Sequence, residues 1–128
     1  MNFPKRASTL AEVATRILDG ADAGLEVKDF LQEFQVTVRP AMLSEQPPQL
    51  TGRVQHGDRF DAYLQALAVY LSARVNADPP KWTYPAIALA EPWFASPGGA
   101  IRNYLLLSSP APFRTRNIFI DEDSLQVA

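Results

Sequence analysis

The chain has no cysteine and only one histidine among its 128 residues. The first absence excludes disulfides, iron–sulfur clusters and thiol nucleophiles, and it fits a reducing compartment. The second removes the usual nitrogen and sulfur ligand sets for a transition metal and leaves His56 as the sole base for a Ser-His-Asp arrangement. Net charge is also small: twelve Lys and Arg against fourteen Asp and Glu give −2, too little positive field for non-specific nucleic-acid binding. No run of about 18 uninterrupted apolar residues, the length that crosses a bilayer, occurs. Behind Lys5 and Arg6, the charges of Glu12, Arg16 and Asp19 interrupt what a secretory leader needs as its apolar core. A cytoplasmic protein without metal or cofactor is therefore expected.

What is present is enough apolar material, 47% of the residues, to build one core without metal or disulfide support. The expectation is one domain over 1–128, with a helical half at 9–76 and a Pro/aromatic-rich, partly helical half at 77–128. Thr9 and Glu12 form a T-x-x-E capping box ahead of Leu10, Val13, Ala14, Ile17 and Leu18, which predicts a helix over 9–19. Val27, Phe30, Leu31, Phe34 and Val38 follow the helical i, i+3, i+4, i+7 spacing and stop before Pro40. Between Ser44 and Gly57, Pro47, Pro48, Gly52 and Gly57 predict a loop. Asp58 then reads as the N-cap of the strongest helix, whose stripe is Phe60, Leu64, Leu67, Leu71 and Val75, flanked by Tyr63 and Tyr70.

From Asn76 to Gly99 five prolines lie among Trp82, Tyr84, Trp93 and Phe94, so this segment should wrap the core irregularly. A further helix is expected from about Gly98 through Leu107 with Ile101, Tyr104 and Leu105 inward, followed by a helical turn at Pro110 to Thr115. Arg116 to Ile120 has extended character, and Asp121 or Asp123 caps a last turn carrying Leu125 and Val127. The fold class this predicts is all-α: a small bundle of four to five helices with a Pro/Trp-rich irregular segment and a short extended C-terminal piece.

No catalytic pattern emerges. Ser108 and Ser109 lack the G-x-S-x-G setting and are better explained as helix terminators before Pro110. Gly98-Gly99 is not followed by a phosphate-binding pattern. Adjacent Asp121, Glu122 and Asp123 suit a helix N-terminus, and His56 suits an exposed loop. A helix-turn-helix in the first two helices would present Glu26, Lys28, Asp29, Gln32 and Glu33, three acids against one base, which disfavours phosphate contact. Two features allow either a packing or a binding reading: Trp82, Trp93 and Phe94 in the proline-rich segment, and Phe113, Arg114, Arg116 and Phe119 ahead of Asp121.

The stretches Glu91-Pro92-Trp93-Phe94, Ile101-Arg102-Asn103-Tyr104-Leu105-Leu106-Leu107-Ser108-Ser109-Pro110 and Phe113-Arg114-Thr115-Arg116-Asn117-Ile118-Phe119-Ile120-Asp121, with Pro80 and Trp82, resemble a family of small bacterial proteins. Its members look like partners encoded beside nucleotidyltransferase-type toxins, and a similar C-terminal segment occurs behind helix-turn-helix domains. The resemblance implies an antitoxin-like or regulatory role. This chain departs from the versions with an N-terminal DNA reader, because its first half has no basic recognition helix.

The resulting expectation is a non-catalytic module that binds a protein partner, such as a toxin enzyme encoded by a neighbouring gene. The expected contact residues are Trp82, Trp93, Phe94, Phe113, Arg114, Arg116, Phe119 and Asp121. The alternative is a dimeric DNA-binding transcriptional regulator, with a localised basic face and salt-sensitive affinity. A homodimer is compatible with both readings.

Overall fold

The first helix starts where the T-x-x-E spacing places it. In the computed structural model, which describes residues 6–95 and 99–125, α1 (Leu10–Leu18) is capped by Thr9, whose side chain accepts from the Glu12 N–H at 3.0 Å. The Glu12 carboxylate reaches back to Ser8 instead of Thr9, accepting from its N–H (3.0 Å) and hydroxyl (3.1 Å). The Ser8 N–H, helped by Arg16 one turn on, holds the Glu12 carboxyl below its ordinary range. Asp22 caps α2 (Ala23–Thr37) by accepting from the Leu25 N–H at 2.9 Å, and Phe30, Leu31 and Phe34 of its apolar stripe are buried. The two helices pack on each other.

Val38, expected to close that stripe, is 47% exposed. It is the C-cap of α2 at φ 46°, and leaving the helical conformation swings its side chain off the apolar face. The left-handed region costs an L-residue about 1–2 kcal/mol, and glycine adopts it freely. Val38→Gly is therefore expected to stabilise the protein by about 1 kcal/mol, visible as a rise in thermal midpoint. A fall would mean that the valine's own contacts outweigh the backbone strain.

The polar loop that follows is pinned rather than free. A 3₁₀ turn at Pro40–Leu43 buries Met42 and Leu43, and Leu50 is fully buried. Asp61, in the second turn of α3 (Gly57–Arg74), accepts from the N–H groups of Leu50 and Thr51 (both 2.9 Å) and from the Thr51 hydroxyl (2.6 Å). The start of α3 corrects the sequence reading. His56, at φ 58° and with no capping hydrogen bond from its side chain, holds the cap position, and Asp58 falls in the first turn. Gly57 is buried, and a Cβ on it would overlap the Leu50 carbonyl, so the helix begins at the one residue that permits this approach.

α3 is the spine. Leu64, Gln65, Ala66, Leu67 and Ala68 are buried in succession, which marks a helix covered on all sides. It packs against α5 (Ala111–Arg114) and against the 3₁₀ turns Pro40–Leu43 and Lys81–Thr83. The core is one contiguous cluster reaching from Ala7 to Leu125.

Helices dominate, but the architecture is not an all-α bundle. Trp93–Phe94 (β1) and Ile118–Phe119 (β2) pair in parallel, Trp93 opposite Ile118 and Phe94 opposite Phe119. The connection between them contains α4 (Gly99–Ser108) and α5. The extended character of 116–120 is thus used for strand pairing, with a segment that its prolines made look irregular. Leu105 in α4 and Ser109 just after it are buried, whereas Tyr104 is 51% exposed and does not point inward as expected. The side chain of Ile101 and the whole of Val127 lie outside the described residues. The last turn forms as anticipated: Asp121 accepts from the Asp123 N–H at 3.0 Å, and Leu125 is buried in the 3₁₀ turn Glu122–Leu125.

Candidate functional site

Two of the expected contact residues are inside the protein. Phe113 is fully buried, its ring centroid 5.3 Å from that of Tyr63 and 6.1 Å from that of Tyr70. Arg116 is only 4% exposed. Its Nε donates to Gln65 Oε1 (2.7 Å), one Nη to the Pro112 carbonyl (2.9 Å) and the other to the Thr83 carbonyl (3.3 Å). No carboxylate among the described residues forms an ion pair with it, and burial lowers its pKa from the ordinary guanidinium value. Gln65 completes the knot: Oε1 also accepts from the Ile87 N–H (2.8 Å), and Nε2 faces the Pro85 and Trp82 carbonyls (3.2 and 3.4 Å). Phe113 thus seats α5 on α3, Arg116 fastens the proline-rich segment to α3, and neither presents anything to a partner in this conformation.

The other six are placed differently. Trp82 is half-buried and donates its indole N–H to the Leu43 carbonyl at 2.8 Å. Phe94 and Phe119, opposite each other on the small sheet, stack with centroids 4.9 Å apart and planes 20° apart. Asp121 serves its turn. Arg114 is exposed. Trp93 lies on the opposite sheet face from Phe94 and borders an open groove.

The groove, of about 620 Å³, lies between α2, the start of α3 and β1. Its apolar walls include Val27, Leu31, Phe60, Tyr63, Trp93 and Ile120. Among the described residues, two cations, Lys28 and Arg59, line it, and no acid does. The Arg59 guanidinium sits 5.6 Å from the centroid of the Trp93 ring, within cation–π range. Burial pushes the Tyr63 phenol up to about 12, so it stays a neutral O–H donor.

Sequence reasoning missed Lys28, Arg59 and Tyr63 as a group because they come from two helices separated by a loop. The one local signal was the i, i+4 spacing of Arg59 and Tyr63, which puts both on one face of α3. It also missed the outward face of α4, where Leu107 is 84% exposed. Among the described residues no group of three or more His, Cys, Asp or Glu is arranged to hold a metal ion, and no helix is long and apolar enough to cross a membrane. No protein family, curated protein or solved structure matches this chain.

Proposed function

We propose that the chain is a non-catalytic cytoplasmic module that binds a protein, as an antitoxin-like or regulatory partner of a bacterial enzyme. The observation that carries this reading is the outward face of α4, where Tyr104, Leu106 and Leu107 are all exposed. Large apolar side chains gathered on one short helix are costly to leave in water and are typical of a contact surface. Arg114, exposed on the next helix, adds a cation of the kind that anchors interfaces. The resemblance of the 80–121 region to partners of nucleotidyltransferase-type toxins supports the same reading.

The test is co-expression with the product of the neighbouring gene, followed by size-exclusion chromatography and calorimetry. The expected result is a complex of micromolar affinity or better. Leu107→Lys should weaken it by about tenfold or more while leaving the thermal midpoint unchanged, because the side chain is almost fully in solvent. A chain that stays free at tens of micromolar of that product overturns the proposal.

A further inference from the structure

We propose that the groove between α2, α3 and β1 binds a small amphipathic carboxylate, with an apolar body inside and its anionic head at Lys28 and Arg59. The volume, about 620 Å³, falls in the range of small-molecule sites, which are mostly apolar with a few polar groups fixing orientation. The charge of the lining decides the ligand's sign. In a chain whose formal net charge is −2, this groove has two cations and no acid among the described residues. The first residues of α2, Ala23 and Gly24, also lie in its wall, but the Asp22 carboxylate already caps that helix end, so the attraction for an anion comes from Lys28 and Arg59.

The chemistry of the walls sets the rest. Phe60, Tyr63 and Trp93 offer aromatic faces to an apolar body, and a guanidinium poised over Trp93 meets a carboxylate with two parallel donors. The Tyr63 hydroxyl has no hydrogen-bond partner among the described residues and is kept protonated by burial, which makes it a further donor for the head. A neutral or cationic ligand of the same shape would keep the apolar contacts but lose the charge-assisted hydrogen bonds to the guanidinium and the attraction of Lys28.

The experiment uses the whole chain alone, so its outcome is independent of the protein partner proposed above. Dodecanoate, dodecanol and dodecylammonium are titrated by calorimetry below their aggregation concentrations. In parallel, Trp82→Phe leaves Trp93 as the only tryptophan and lets its fluorescence report on the groove. The expected result is one dodecanoate site of micromolar affinity, a change in Trp93 emission, and a loss of about tenfold in each of Lys28→Gln and Arg59→Gln. Lys28 is exposed, so its variant keeps the fold. If dodecylammonium binds as tightly, if the two variants bind dodecanoate like the parent, or if no binding occurs at millimolar ligand, the inference is wrong.

Discussion

Arg116→Ala is expected to lower the free energy of unfolding by about 4 kcal/mol, enough to leave a domain of ordinary stability marginal. Three charge-assisted hydrogen bonds disappear together, and the Pro112 and Thr83 carbonyls lose a donor in a place with little access for water. Gln65 keeps its bond from the Ile87 N–H but loses the shorter one from Arg116. Arg116→Lys should recover little, because a single ammonium cannot point at three acceptors in the directions a planar guanidinium reaches. Arg116→Met separates packing from polar contribution: it restores most of the stem but none of the donors, and should remain about 2 kcal/mol below the parent. Urea unfolding measures all three. The double variant with Gln65→Ala should lose less than the sum of the single losses, since the two side chains share one network. A loss of under about 1 kcal/mol for the alanine variant would show that water replaces the guanidinium easily.

The second large effect is expected at Gly57, where two rules predict opposite signs. Helix propensity alone makes Gly→Ala stabilising by about 1 kcal/mol. Steric overlap makes it destabilising, because the new methyl would meet the backbone of Leu50 and Thr51, and forcing atoms into filled space typically costs about 1–3 kcal/mol or more. That backbone cannot easily move away: Asp61 accepts two hydrogen bonds from its N–H groups and a third from the Thr51 hydroxyl. The overlap should win, and Gly57→Ala should be destabilised by about 3 kcal/mol. Gly24→Ala is the matched control in the first turn of α2, where a Cβ would meet only the Asp22 carboxylate at 3.3 Å, and it should lie within about 0.5 kcal/mol of the parent. Equal behaviour of the two variants would contradict the close approach at Gly57.

Features encoded in short windows were legible before the structure. The Thr9 cap ahead of Glu12, the Phe30, Leu31 and Phe34 stripe, and the run from Leu64 to Leu71 are local signals, and α1, α2 and α3 formed there, although the cap of α3 is His56 and not Asp58. The short helical turn after Pro110 and the Asp121 turn followed for the same reason. The errors arose where distant residues decide. Arg116 looks like a surface cation beside Phe113, because its acceptors come from Gln65, Thr83 and Pro112, and no local window contains all three. Tyr104 and Leu105 are adjacent apolar residues on one helix, and only the position of β2 decides that Leu105 faces in. The groove was invisible for the same reason. Lys28 was read on the polar face of the second helix, Arg59 stands in the polar stretch around His56, and the aromatic wall comes partly from a proline-rich strand that no periodicity announced.

Order of synthesis gives the buried guanidinium a further consequence. α1 and α2 are neighbours in sequence and in space, so they can associate while the ribosome is still adding later residues. The knot at Gln65 needs a side chain 51 positions downstream, and until that residue leaves the exit tunnel the middle of α3 carries an amide facing no cation. The nascent chain therefore passes through a long interval in which its largest helix is exposed along one side, the stage at which a chaperone would have most to hold.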